Sequence, residues 1–171
     1  MRLFRRKQQP PAVPDAYDEA YLGLRSRALG LTAEELGDVA AGAPVIALLM
    51  EDAYPEAVAT LVGVVDGSTS LYFSNGGGMI GAGEHAEVAE ATARWLQVGA
   101  DALRELPPVT SAPPPPPLGL TQFVAVTPRG LRCAGAGEDE LGRGRHVLSP
   151  LFHAAHDVIT QIRLLDERPS E

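Results

Sequence analysis

Five glycines fall within the run Gly76-Gly77-Gly78-Met79-Ile80-Gly81-Ala82-Gly83, and Glu84 and His85 follow at once. Gly76, Gly78 and Gly81 carry the spacing GxGxxG, after a strand-like stretch and before a helical pattern. Backbone amides in such a place can meet a pyrophosphate at a helix N-terminus. Three features oppose a dinucleotide site. The helical pattern begins near Glu84, so no glycine lies in its first turn. Glu84 and Glu87 put negative charge where a phosphate would sit. No second strand ending in an acid follows about twenty residues on; a proline run does. A P-loop is excluded because no GK[ST] comes after the glycines. The plainer reading is a bend, since glycine tolerates the positive φ that a strand-to-helix reversal needs. Gly76, Gly77, Gly78, Gly81, Gly83 and His85 are therefore kept as a candidate small-ligand or anion loop beside that structural reading.

The remaining reactive side chains form no catalytic constellation. His85 with Glu84 is the best acid–base candidate, because it adjoins the loop; its place at the helix start, near the apolar flank of Leu96 and Leu103, predicts a partly buried histidine. His153, His156 and Asp157 stand at i, i+3 and i+4, where helical metal ligands converge. A third ligand would have to come from His146 or from Glu138, Asp139 and Glu140. On a helical wheel His153 falls opposite the apolar stripe and His156 at its flank, which predicts solvated histidines and no metal. Leu164 shares that outer face with His153 and Thr160, as a contact surface would. Cys133, the one cysteine, excludes an internal disulfide and an all-cysteine zinc site, and strand alternation places it in the core. Arg143, Arg145 and His146 make a small basic loop, fitted to an anion or an acidic partner, or balancing the acids beside it. No nucleophile elbow or HExxH occurs, and no cofactor is implied.

Composition narrows the classes further. The chain has 171 residues and a net charge of −8. Four of its fourteen basic residues lie in MRLFRRK, which leaves 14 − 4 = 10 basic against 22 acidic residues elsewhere. A body that acidic repels a phosphate backbone, so nucleic acid is not the expected partner. Leu3 and Phe4 beside Arg5, Arg6 and Lys7 are too few for firm membrane association. No apolar run approaches the ~20 residues of a membrane span, and no apolar segment follows the basic start as in a secretory leader. The expectation is a cytoplasmic protein. Thirteen arginines against one lysine suit a GC-rich bacterial coding sequence.

The elements that must position these residues follow from periodicity. Residues 1–14 read as a disordered basic tail. Residues 15–29 repeat apolar positions at three and four, with Asp15 as N-cap and Gly30 as stop. Thr32 and Glu35 have capping-box spacing; a helix-turn-helix is disfavoured because that second helix is tiny, acidic and ended by Gly37. Residues 45–52 form a continuous apolar run, the pattern of a strand buried on both faces. Residues 57–65 and 68–74 are strands joined by the tight turn Asp66-Gly67. A helix over 84–106 has the stripe Val88, Thr92, Trp95, Gly99, Ala102 and Leu106. Residues 107–119 are a stiff polyproline stretch able to span about 35 Å; we read it as a crossover within one domain, 15–171, though its prolines would also fit an aromatic groove. Residues 121–127 and 131–137 form a hairpin about Pro128-Arg129-Gly130. The acidic–basic loop leads to a helix capped by Ser149, with Pro150 first and Leu151, Ala155, Val158, Ile162 and Leu165 as its core stripe.

The expected class is α+β in the order α-βββ-α-ββ-α: about five mainly antiparallel strands, flanked by two long helices and an N-terminal helix. This order loosely resembles the small α/β modules of the roadblock, longin and profilin type over residues 15–168, except that roadblock modules have two strands before the middle helix. The resemblance implies a fold often used for dimerisation. The expected function is a non-enzymatic protein-interaction or regulatory module, a homo-oligomer or a binder of another protein. Its alternatives are a ligand or anion binder at residues 76–85 and an enzyme using His85.

Overall fold

A computed structural model describes residues 17–167. The basic tail and Asp15 lie outside those residues. Helix α1 (Glu19–Leu29) begins later than the periodicity suggests, because Asp18 is its cap: one carboxylate oxygen accepts from the Ala20 and Tyr21 amides at 2.9 and 3.2 Å. Helix α2 (Ala33–Leu36) carries the expected capping box between Thr32 and Glu35.

Six strands make one antiparallel sheet: β1 (Ala47–Ala53), β2 (Val58–Val64), β3 (Thr69–Phe73), β4 (Gly78–Met79), β5 (Leu120–Thr127) and β6 (Gly130–Gly137). Their spatial order is β4-β3-β2-β1-β5-β6. Five correspond to the strands expected from alternation. The sixth, β4, lies inside the glycine run and raises the strands before the middle helix to four, further from the roadblock arrangement. The continuous apolar run became the centre of the sheet, with every residue of β1 buried.

Helix α3 (Ala86–Asp101) follows β4, and a short 3-10 turn over Leu103–Glu105 completes what the stripe predicts as one helix over 84–106. Residues 138–148, expected as a loop, contain helix α4 (Glu138–Gly142). Helix α5 (Ser149–Asp166) closes the fold. Ser149 does not cap it as expected; its hydroxyl accepts from the His146 amide at 3.2 Å, bracing the turn before the helix.

Alternation gives the sheet two apolar faces. Leu48, Met50, Leu61 and Phe123 pack with Trp95 of α3 and Leu151 of α5. Leu49, Val62 and Val124 pack with Tyr21 and Leu29 of α1. Each such leucine or valine side chain stabilises by about 1.5–3 kcal/mol when fully buried. Strands from both sides of the proline-rich stretch flank β1, β2 on one side and β5 on the other.

That stretch first runs beside β6. The Cys133 amide donates to the Pro107 carbonyl and the Val109 amide to the Leu131 carbonyl, each at 3.0 Å. It thus covers one edge of the sheet with a segment whose prolines cannot extend the ladder. Further on, Arg25 Nη2 donates to the Pro113 carbonyl at 2.7 Å and Gln122 Nε2 to the Pro114 carbonyl at 3.0 Å.

Candidate functional site

The glycine run forms the opposite edge of the sheet rather than a cradle at a helix start. The Phe73 amide donates to the Gly77 carbonyl at 3.1 Å, and Gly76 closes the turn by donating to the Phe73 carbonyl at 3.0 Å. Gly78 has φ +138°, and a Cβ there would lie 2.4 Å from the Leu71 carbonyl oxygen. A Cβ on Gly83 would lie 1.9 Å from the Gly67 carbonyl oxygen. Side chains are excluded at both positions by neighbouring backbone: the β3–β4 hairpin requires Gly78, and the approach of the following turn to Gly67 requires Gly83. The chain then makes a 3-10 turn over Ala82–Glu84, and α3 starts with His85 as N-cap.

His85 is exposed, not partly buried as expected: it stands before the first turn of α3 as an extended N-cap, not within the helix. Among the described residues its ring meets no hydrogen-bond partner. Glu84 is exposed as well, and lines a shallow groove with Asp66, Ser68, Ser70, Ile80 and Gly81. Two carboxylates on that groove oppose an anion.

The hairpin borders two further depressions. On the α1 side is a cleft of about 250 Å³ lined by Asp18, Leu24, Phe73, Gly78 and Ile80 among others. On the α5 side is a groove of about 360 Å³ that shares Phe73 and Gly78 and adds Leu71, Met79, Asp166 and Glu167. Ile80 is 63% exposed and Phe73 36%. Apolar side chains of that size left in water beside a sheet edge are the usual material of a contact surface.

The helical trio expected as weak metal ligands does not converge. His153 is exposed, with Nε2 3.2 Å from the Gly142 carbonyl, and Asp157 is exposed. His156 is half-buried with its ring 4.2 Å from that of Phe152, and Nε2 stands 3.9 Å from Asp52 Oδ2. Among the described residues no three metal-ligating side chains gather. Asp52, 4% exposed, accepts a short hydrogen bond from Thr121 Oγ1. Burial is the largest influence on its carboxyl and raises its pKa; Thr121 and His156 pull the other way, and Glu138 adds to the rise. Cys133 is half-buried, and burial pushes its thiol up as well, away from the reactive thiolate. In the basic loop Arg143 stands 3.9 Å from Asp139, Arg145 is exposed, and His146 Nδ1 accepts from the Leu148 amide at 3.1 Å.

Sequence reasoning missed a polar row crossing the sheet beneath α1. Cross-strand register aligns Tyr72, Thr60, Glu51 and Gln122 on four adjacent strands. Glu51 is fully buried and receives Arg25 through Nε and Nη2 at 2.6 and 2.9 Å, with Gln122 Nε2 at 2.9 Å. Burial works against the Arg25 charge, but the hydrogen bonds and proximity of Glu51 outweigh it and hold the guanidinium above its ordinary pKa. Tyr21 donates to or accepts from Thr60 at 3.2 Å, and burial pushes its phenol up to about 12. The signal was present: acids inside an apolar strand must find partners. Which partners they find is set by packing.

Comparison with protein-family models, curated proteins and solved structures finds no significant match for the chain. Among the described residues no helix is long and apolar enough to cross a membrane.

Proposed function

We propose that this protein is a non-enzymatic protein-interaction module that works through the β4 edge and the clefts beside it. The observation that carries the reading is the pair Phe73 and Ile80, exposed on the sheet edge that no other segment of the described chain covers, while Pro107 and Val109 cover the other. Arg25, Glu51, Gln122, Tyr21 and Thr60 beneath α1 are engaged in mutual hydrogen bonds, as a structural layer requires, while the buried Tyr72 hydroxyl meets no partner among the described residues. His85 and Glu84 are exposed, and among the described residues neither is held against a partner that would activate it. The reading admits either a second copy of the chain or another protein as the occupant.

Native mass spectrometry of the full chain tests it. The expected result is a protein-only complex, of the chain with itself or with a co-purifying protein, which the double substitution Phe73→Ser/Ile80→Ser dissolves. A monomer that retains a nucleotide or other small molecule overturns the reading in favour of a ligand site.

A further inference from the structure

The geometry points to an extended, basic segment of a partner protein as the occupant of the β4 edge, added to the sheet as a further antiparallel or parallel strand. This inference rests on the interaction reading above and names the chemistry of the partner. Ladder geometry supplies the backbone half of the argument. Phe73 and Gly77 form a hydrogen-bonded pair, so alternation makes Leu71 and Met79 the next such pair and leaves Tyr72 and Gly78 between them. The N–H and C=O of Gly78 therefore point away from β3, as a donor and an acceptor that meet no partner among the described residues. An added strand satisfies them and sends alternate side chains to opposite faces.

The clefts supply the side-chain half. One face of such a strand meets Leu24, Phe73 and Ile80; the other meets Leu71, Met79 and Ile162. Carboxylates stand around these apolar floors: Asp18 on the α1 side, Asp66 and Glu84 beyond Ile80, and Asp166 and Glu167 at the end of α5. Among the described residues Arg163 is the single basic one lining the same depressions. Opposite charge on the incoming segment steers it and fixes its register, and like charge opposes it. Two copies meeting through this same edge would set these carboxylates against one another, so the fit is to a segment of different composition.

Fluorescence anisotropy with the full chain provides the test. The probes are a fluorescein-labelled peptide Val-Arg-Val-Lys-Val-Arg-Val and its acidic counterpart Val-Glu-Val-Asp-Val-Glu-Val. We expect saturable binding of the basic peptide only. Glu84→Lys/Asp166→Lys/Glu167→Lys, three exposed changes that leave the core untouched, should weaken it roughly tenfold or more. Amide exchange at Gly78 should slow on binding, which diffuse attraction to an acidic surface would not cause. Equal binding of both peptides, binding of neither, an unaffected triple variant, or protection confined to other strands each overturns the inference. If the basic peptide fails while Phe73→Ser/Ile80→Ser still dissolves an assembly, the partner chemistry is wrong and the interaction module stands. If both experiments fail, both readings fall.

Discussion

Replacing Arg25 by methionine should be among the most damaging single changes in the described structure, and a second change should largely cancel it. Glu51 is fully buried and takes two of its hydrogen bonds from Arg25, at 2.6 and 2.9 Å. Methionine preserves much of the apolar stem but leaves a carboxylate with only Gln122 and a long contact from Thr60 at 3.4 Å. An uncompensated buried charge costs about 3–5 kcal/mol, and the lost bond to the Pro113 carbonyl adds about 1 kcal/mol. Against a total stability of about 5–15 kcal/mol, that loss approaches unfolding. The pair as a whole is worth far less than either half, because desolvating both groups offsets most of their attraction. Arg25→Met/Glu51→Leu should therefore regain most of what Arg25→Met loses. Urea titration followed by Trp95 fluorescence reads this directly, since the single tryptophan is fully buried between α3 and the sheet. With a slope of about 2 kcal/mol/M, a summed loss of about 4–6 kcal/mol should shift the single variant's midpoint down by about 2–3 M. A shift under about 0.5 M, or a double variant as weak as the single, would refute the argument that Glu51 depends on Arg25 for its burial.

Two further outcomes follow from the same geometry. Gly83→Ala should destabilise by several times as much as Gly77→Ala: the first drives a Cβ to 1.9 Å from a backbone oxygen, while the second meets nothing within 4 Å and bears only the strain of its φ of +85°, about 1–2 kcal/mol. Equal urea midpoints for the two variants would contradict the close approach of the 3-10 turn to the β2–β3 hairpin. Asp52→Asn keeps the acceptor for Thr121 and removes a buried charge. Because burial raises the wild-type carboxyl, the folded state favours its protonated form, and wild-type stability from this group is present at low pH and lost as pH rises through the raised value. The asparagine variant should thus match wild type in acid and exceed it at neutral pH, in thermal melts across that range; the opposite trend would show that His156 dominates the carboxylate.

Much of the fold was legible because its strands and helices announce themselves locally. Asp66-Gly67 and Pro128-Arg129-Gly130 marked both hairpins, and the stripes through Val88–Thr92–Trp95 and Leu151–Ala155–Val158 marked the faces that became buried. The strand β4 was not legible. Two residues with a glycine at φ +138° have no strand propensity of their own, and they are a strand only because the edge of β3 lends them a ladder. The site candidates divided similarly. The bend reading of the glycines finds a local cause at Gly78 and Gly83, whereas His85, expected inside the helix and partly buried, stands before it as an exposed N-cap.

The sequence by itself determined the α+β class, the antiparallel pairing through short turns and the acidic charge of the body, since each depends on neighbours along the chain or on composition alone. Tertiary structure alone decided that Arg25 reaches Glu51, that His156 faces Asp52 and not His153, and that one sheet margin lies under prolines while the described residues leave the other uncovered. Those outcomes depend on which faces meet across the sheet, and a face acquires its partner only when the register of every strand between them is set.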